Sequence, residues 1–263
     1  WGPALAYDAA RNVCVLFGGT TGGTITWTWD GRAWTQYLVT PAPSARVSPG
    51  MVYDSERAVT VLYGGDFGTT YADTWEWNGA SWTQRNIPGP GPRARHGMAY
   101  DSDRHVTVLY GGGVNDTWEY DGIAWVQRSS NDAPLGGSMA YDSARHITLQ
   151  VDGQNTWGWN GQQWTILAPS PVGAIDSSLA FDTDRNVCIL YAGGDFEPGQ
   201  TWEWNGLAWT QTAFSFPIAR PDNGLAYDSH RKRTVLFGGR CYCDSGATKE
   251  TWEYGLICYA DCD

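Results

Sequence analysis

One phrase of sequence recurs six times along the chain. In each copy an apolar residue, an Ala or Val, an aromatic residue and an aspartate follow one another, and an arginine stands three positions after the aspartate. Internal repeats with a period of about 20 to 50 residues are typical of solenoids and propellers, so this repeat constrains the fold more than any other feature. The aromatic positions are Tyr7, Tyr53, Tyr100, Tyr141, Phe181 and Tyr227, separated by 46, 47, 41, 40 and 46 residues.

Each copy contains four short segments with the character of β-strands. The first ends at the aspartate, whose carboxylate can accept amide hydrogens in a tight Asp-x-x-Arg turn. The second is an apolar run ending in glycine, as in Val59 to Gly65. The third and fourth flank Asn-Gly or Asp-Gly, as at Asn78 and Gly79, which favours a two-residue hairpin turn. Six such antiparallel sheets predict an all-β fold, a six-bladed β-propeller of four-stranded blades.

The repeat resembles that of the kelch family. The apolar run ending in Gly-Gly, followed by two spaced aromatic residues such as Trp75 and Trp77, is the mark of that family, and the likeness covers essentially the whole chain. The fourth copy departs from the pattern with Val151, Asp152 and Gly153, and the hairpin turn is shorter than usual. The variant Trp-Glu-Trp-Asn-Gly is similar to tandem kelch repeats of bacterial secreted or surface proteins. The resemblance therefore implies an extracellular or cell-surface location.

The repeat divides residues 1–263 into one propeller domain of six blades. The last copy is expected to be complete, with Ile257 to Ala260 as its fourth strand and Tyr259 in the place of Trp209. No strand is then left for one terminus to lend to the other. The expected blades are approximately 1–45, 46–93, 94–134, 135–174, 175–219 and 220–263.

Four of the six cysteines crowd the end of the chain. Cys241, Cys243, Cys258 and Cys262 are predicted to form disulfides that help to close the ring, which indicates an oxidising, secreted setting. A metal site is less favoured because structural zinc usually has paired Cys-x-x-Cys ligands. The other two, Cys14 and Cys188, stand at equivalent positions of blades that are not neighbours, so we expect them to be buried free thiols.

The charge of the chain limits its partners. Lys and Arg number 17 against 28 Asp and Glu, a net charge of −11, which disfavours nucleic acid and anionic lipid surfaces. Every apolar run is broken well before the ~20 residues that span a bilayer. We therefore expect no nucleic-acid partner and no membrane insertion.

The loops between strands two and three and between blades vary most, and both lie on one face of a propeller. We expect a ligand site there, near the central channel. The loops and the segments that lead into strand one carry basic and aromatic side chains, which would suit a carboxylate or a sugar as ligand. The arginines among them could instead donate hydrogen bonds to loop carbonyls between blades. The repeated tryptophans are expected to pack between blades rather than to stack on sugars. The candidate ligand-binding residues are Arg46, Arg95, His96 and Arg220 before strand one, and Asp66, Phe67, Asp195 and Phe196 between strands two and three.

No catalytic motif, cofactor or metal site is predicted. Of the four histidines, His105, His146 and His230 fall in or beside repeated turns. The sequence favours a secreted or surface-displayed, non-catalytic module that binds a protein or glycan ligand with its variable loop face. One alternative is an extracellular carbohydrate-active or other enzyme with its site at the channel mouth, where Arg46, His96 and Arg220 would hold the substrate. Another is a subunit that self-associates into a fibre or a surface layer.

Overall fold

The computed structural model describes residues 2–19, 23–130, 137–173, 177–192, 199–212, 221–241, 246–247 and 250–255, with backbone alone for 240–241 and 246–247. Their regular structure consists of β-strands in six large sheets and one small hairpin. None of these segments forms a helix with the length and apolarity needed to cross a membrane.

The first three sheets follow the chain in order. Blade 1 consists of β1 (Pro3–Asp8), β2 (Val13–Gly18), β3 (Thr26–Trp29) and β4 (Trp34–Tyr37). Blade 2 consists of β5 (Gly50–Asp54), β6 (Val59–Tyr63), β7 (Thr74–Trp77) and β8 (Trp82–Arg85). Blade 3 consists of β9 (His96–Asp101), β10 (Val106–Gly111), β11 (Asp116–Tyr120) and β12 (Trp125–Ser130).

The second half repeats the arrangement. Blade 4 consists of β13 (Ser138–Asp142), β14 (Ile147–Val151), β15 (Asn155–Trp159) and β16 (Trp164–Pro169), and blade 5 of β17 (Ser178–Asp182), β18 (Val187–Ala192), β19 (Gln200–Trp204) and β20 (Trp209–Gln211). Blade 6 contains β21 (Asn223–Asp228), β22 (Arg233–Gly238) and β25 (Thr251–Tyr254), and the hairpin of β23 (Arg240–Cys241) and β24 (Gly246–Ala247) lies in its loop.

Every blade is an antiparallel meander whose first strand lies innermost. In blade 2, for example, Met51 pairs with Leu62, Leu62 with Trp75 and Trp75 with Gln84. Each first strand contacts the first strands of both neighbouring blades, and β1 contacts β21, so the ring is closed. The all-β, six-bladed propeller is therefore confirmed. The predicted fourth strand of blade 6, Ile257 to Ala260, lies outside the described residues.

The core is divided among the spaces between neighbouring blades. Between blades 1 and 2, for instance, Phe17 and Leu62 pack with Trp77 and Trp82. Alternate side chains of a strand face opposite sides of its sheet, so each apolar strand serves two such clusters. Trp77, Trp82, Trp159 and Trp204 are among the largest fully buried side chains. The prediction that the repeated tryptophans pack between blades is confirmed for these four.

The Asp-x-x-Arg turns connect each blade to the next. Asp54, which is buried, accepts the backbone amide of Arg57 at 3.0 Å and its Nε at 2.8 Å. The same guanidinium binds Glu76 of β7. It also lies under the hairpin of blade 3, where a β-carbon at Gly122 would be 2.5 Å from Arg57 Nε. The glycine of the Asn-Gly or Asp-Gly turn is thus required both by its positive φ of 89° and by the arginine beneath it.

A tryptophan at the start of strand four donates a hydrogen bond from its indole Nε1 to a threonine hydroxyl in strand three of the preceding blade. Five of the six interfaces show this bond in the described residues, and one of the five closes the ring between blade 1 and blade 6. The pairs and distances are Trp82–Thr26 (2.7 Å), Trp125–Thr74 (2.9 Å), Trp164–Thr117 (2.8 Å), Trp209–Thr156 (2.7 Å) and Trp34–Thr251 (2.9 Å).

The cysteines have separate positions in this architecture. Cys14 and Cys188 are buried free thiols, as predicted, and burial raises the pKa of both above the ordinary value. Cys243, Cys258 and Cys262 lie outside the described residues, and Cys241 is described by its backbone alone. Their predicted disulfides therefore stay a prediction, while the described part of the closing interface already has the same tryptophan–threonine bond as the others.

Replacing Thr26 with valine tests the importance of this bond. The change keeps the shape but leaves the buried Trp82 Nε1 without its acceptor, which should lower the free energy of unfolding by about 1 to 3 kcal/mol. Chemical denaturation measures the loss, and Thr26→Ser, which keeps a hydroxyl, is the control. Equal stability of the two variants would contradict a structural role for the bond.

Candidate functional site

The six first strands surround a central channel, and its end on the variable loop face is here called the mouth. The mouth is a cavity of about 210 Å³ to which all six blades contribute two neighbouring residues. Hydroxyl, amide, carboxylate, imidazole and guanidinium groups are all present in its wall. The lining residues are Gly2, Pro3, Ser48, Pro49, Arg95, His96, Gly137, Ser138, Ser177, Ser178, Asp222 and Asn223.

Hydrogen bonds between blades hold the rim of the mouth together. The Arg95 amide donates to the Ser48 carbonyl at 3.0 Å, the Ser48 amide to the Gly2 carbonyl at 2.7 Å, and the Gly2 amide to the Asp222 carbonyl at 3.1 Å. These bonds connect blades 3, 2, 1 and 6 in turn.

Serine side chains extend the same linkage around the other half of the rim. Ser138 Oγ donates to the Ser177 carbonyl, and Ser178 Oγ donates to the Asn223 carbonyl at 3.3 Å. Blades 4, 5 and 6 are thereby joined. The site is therefore built on a fixed backbone frame rather than on independent loops.

The residue five positions before the repeated aromatic has a left-handed backbone wherever the structure describes it. Its φ is 71° at Gly2, 49° at Ser48, 57° at Arg95 and 59° at Asp222. Non-glycine residues seldom adopt this conformation, and such strain concentrates at ligand sites. In these four blades the chain therefore places a different residue on the same backbone geometry.

His96 is the most unusual polar group of the mouth. It is 7% exposed, and neither ring nitrogen has a hydrogen-bond partner of normal geometry within the described residues. Its ring meets that of Tyr63 edge-on, with 5.7 Å between centroids. Burial, with the nearby positive charge of Arg93, lowers the pKa of His96 to about 3. The imidazole is therefore neutral at physiological pH, with an unused lone pair.

Arg46 has a structural environment. Its side chain has no exposed surface, and its guanidinium forms a bidentate pair with Asp73, at 2.6 and 2.9 Å, while also donating to the Gly64 carbonyl at 2.8 Å. The Tyr71 ring covers it at 4.3 Å. Burial tends to raise the pKa of Asp73, but the hydrogen bond and charge of Arg46 outweigh that tendency and lower it. Arg46 thus anchors the β6–β7 loop and presents no surface to a ligand.

Arg93 occupies the equivalent position in blade 3, which the sequence did not single out. It pairs with Asp116 at 2.7 Å and donates to the Gly111 carbonyl at 3.1 Å. The alternative interpretation of these arginines, as donors to loop carbonyls, thus describes both Arg46 and Arg93, but each carbonyl belongs to the arginine's own blade rather than to a neighbouring one. Counting back from the repeated aromatic places Arg220 at the same position in blade 6, outside the described residues.

The structure brings together only some of the predicted site residues. Arg95 and His96 both line the mouth. Asp66 and Phe67 lie in the β6–β7 loop on the same face, where Asp66 exchanges backbone hydrogen bonds with Val47 and the Phe67 side chain is 54% exposed. Asp195 and Phe196 lie outside the described residues. Ligand binding by any of these residues stays a prediction.

Sequence reasoning missed most of the polar groups in the mouth. Ser48, Ser138, Ser178, Asp222 and Asn223 are not part of any motif. A signal for them does exist, because they stand three to five positions before the repeated aromatic, where the copies cease to agree. Aligning the six copies on that aromatic would have placed them side by side.

Fold and site together define a six-bladed β-propeller with a polar mouth at one end of its channel. No known protein family matches the sequence, and no curated protein matches it either. Solved structures, however, share the fold.

Three of these structures differ in how well they superimpose. The structure of YjhT has 13% identity and a TM-score of 0.76, with 98% of this chain and 95% of that chain covered. A SapL1 lectin in complex with alpha methyl fucoside has 14% identity, a TM-score of 0.62 and coverage of 95% and 92%. A chain of a nidogen/laminin complex has 13% identity, a TM-score of 0.56 and coverage of 89% and 94%. At these identities the similarity shows the fold alone.

The lowered pKa of His96 predicts a pH dependence of stability. Because the folded protein keeps this imidazole neutral while the unfolded chain protonates it below about pH 6.5, the free energy of unfolding should fall as the pH falls. The contribution is at most about 1.4 kcal/mol per pH unit, between about pH 6.5 and the folded pKa of about 3. Denaturation of the wild type and of His96→Asn, the residue of blade 6 at this position, measures it. Identical pH profiles for the two proteins would contradict the prediction.

Replacing Arg46 separates structure from binding. Arg46→Ala removes one partner of a buried ion pair and should lower the free energy of unfolding by about 3 to 5 kcal/mol. Thermal and chemical denaturation measure this loss. The exposed Arg95, changed to serine as at Ser48, is the matched control and should have little effect on stability. If Arg46→Ala has the same free energy of unfolding as the wild type, the structural role of Arg46 is wrong and Arg46 is again a candidate for ligand binding.

Proposed function

We propose that the chain is a non-catalytic binding module that acts outside the cell and holds a sugar residue of a glycan in the mouth. The single observation that carries this proposal is the composition of the mouth. Hydrogen-bonding groups from all six blades converge on a cavity of about 210 Å³; most are neutral, and the charged ones are the Asp222 carboxylate and the exposed Arg95 guanidinium. Small-molecule sites are concave, with a few fixed polar groups that provide specificity.

The chemistry of the wall suits a polyhydroxylated ligand. The Ser48 hydroxyl can donate and accept, as a sugar hydroxyl does, while the hydroxyls of Ser138 and Ser178, which already donate to rim carbonyls, can accept. The neutral His96 can offer one N–H and one lone pair, and Arg95 adds donors for a ring oxygen or a carboxylate. Because the rim is held by hydrogen bonds between blades, little ordering is required when a ligand binds.

The comparisons support this choice among binding modules. A propeller that shares the fold is a lectin in complex with alpha methyl fucoside. The fold therefore accommodates sugar binding in at least one protein of similar architecture, although fold likeness does not define a ligand. The clustered cysteines favour the extracellular setting that surface glycans would require.

A protein ligand is the second candidate, supported by two exposed apolar side chains on the loop face. Phe67 in the β6–β7 loop is 54% exposed, and Val114 in the β10–β11 loop of the neighbouring blade is 45% exposed. Exposed apolar groups beside a polar cavity are common at protein interfaces. The shared fold of a chain in a nidogen/laminin complex is consistent with this alternative.

A glycan array followed by calorimetry tests the proposal. We expect the wild type to bind a defined set of glycans, and Arg95→Ser to weaken the binding of the best of them about tenfold or more, since one charge-assisted hydrogen bond contributes about 1.5 to 3 kcal/mol. The matched control is His105→Asn, an exposed residue in a turn on the opposite face, which should bind normally.

The contrasting results separate the alternatives. Normal glycan binding by Arg95→Ser together with loss in a variant of an indole such as Trp252→Ala, which is 41% exposed, would move the sugar site away from the mouth. No glycan binding, with retention of a protein ligand that is lost in Phe67→Ser, would favour the second candidate. If the purified chain sediments as oligomers whose size increases with protein concentration, self-association would be favoured.

A further inference from the structure

A nitrogen donor and a sulfur donor meet inside the channel, just below the mouth. His96 and Met98 are two residues apart on β9, so their side chains leave the same face of the strand toward blade 2. A β-carbon at Gly50 of blade 2 would lie 2.6 Å from His96 Nε2 and 2.3 Å from Met98 Sδ. The two donor atoms therefore both pack against Gly50 and are no more than about 5 Å apart.

The imidazole takes no part in the hydrogen bonds that hold the rim together. Among the described residues neither of its nitrogens has a hydrogen-bond partner of normal geometry, although the residue is 93% buried, a situation that native proteins seldom leave unexplained. The neighbouring positive charge of Arg93 is paired with Asp116 at 2.7 Å, which partly compensates it. His96 and Met98 both line a channel space of about 180 Å³ that continues from the mouth.

We propose that His96 Nε2 and Met98 Sδ bind a soft monovalent metal ion of the Cu(I) class, which enters through the mouth. Thioether and imidazole donors together suit Cu(I), whereas magnesium and calcium require oxygen ligands. A further donor could come from water or from a ligand in the channel space that His96 and Met98 line. Among the described residues no three His, Cys, Asp or Glu side chains gather into a metal site, so this site depends on the methionine.

The repeat itself supplies matched controls. The chain has three methionines, Met51, Met98 and Met139, at the same position of three consecutive inner strands, and all three are buried. A histidine stands two residues earlier only before Met98, because the equivalents are Pro49 and Gly137. Leucine occupies the same position in blades 1, 5 and 6, so Met→Leu changes should preserve the fold.

Nuclear magnetic resonance of the whole chain, labelled with ¹³C at the methionine methyl groups, tests the proposal. The protein should give three methyl signals, assigned with Met51→Leu, Met98→Leu and Met139→Leu. Silver(I), which has the charge and softness of Cu(I) without its redox chemistry, is the probe. We expect the Met98 signal to shift as the first equivalent binds at that site, while the Met51 and Met139 signals stay in place. The readout is site-specific, so silver bound by cysteines does not affect its interpretation.

His96→Asn separates the contribution of the imidazole. This variant should require at least tenfold more silver(I) to shift the Met98 signal, whereas His105→Asn should behave as the wild type. A Met98 signal that does not move, or three signals that move together, would overturn the proposed site. If His96→Asn responds to silver(I) as the wild type does, His96 is not a ligand, and the proposal is wrong. Glycan binding is measured separately, so either proposal can fail without the other.

Discussion

The ring depends on one interaction that is repeated between blades, the hydrogen bond from a tryptophan indole to a threonine of the preceding blade. A propeller blade alone leaves both faces of its sheet apolar, and stacking against neighbours is its means of burying them. The indole provides most of that apolar surface and then needs an acceptor for its N–H, since a buried unpaired donor costs about 1 to 3 kcal/mol. At the five interfaces where it is described, the bond fixes how one blade lies on the next. Because Trp34 and Thr251 make the same contact between the first and last blades, the described structure needs no special device for closure.

The sequence was sufficient to predict the architecture because the residues that determine it recur. Asp54 and Arg57 show why: the turn, the ion pair with Glu76 and the contact beneath Gly122 all require particular residue types at fixed spacing, so they leave a pattern in every copy. The mouth leaves no such pattern. Its hydrogen bonds between blades are made largely by backbone atoms, as from the Ser48 amide to the Gly2 carbonyl, and backbone atoms place no demand on residue type.

The arginines before strand one illustrate the limit of reasoning from position. Arg46 and Arg95 are both basic and both close to the mouth, yet the former is enclosed by Asp73 and Tyr71 while the latter is exposed. The two arginines stand at different positions of the repeat, Arg46 seven residues before the aromatic and Arg95 five. The first position, which Arg93 shares, places a guanidinium against an aspartate of its own blade. His96 was identified from the sequence as a candidate. The sequence did not reveal that His96 is buried beside Met98, because this packing depends on the absence of a side chain at Gly50 in another blade.

A propeller of this kind separates the residues that hold it together from those free to differ. The tryptophan–threonine bonds and the Asp-x-x-Arg turns lie away from the mouth, so changes at Ser48, Arg95 or Asp222 do not disturb them. The same rim backbone accepts glycine, serine, arginine and aspartate at equivalent positions. Different side chains can thus be directed at one cavity from the same backbone frame. This independence is the physical reason to seek recognition at the mouth: specificity there can change while the free energy of unfolding is set elsewhere.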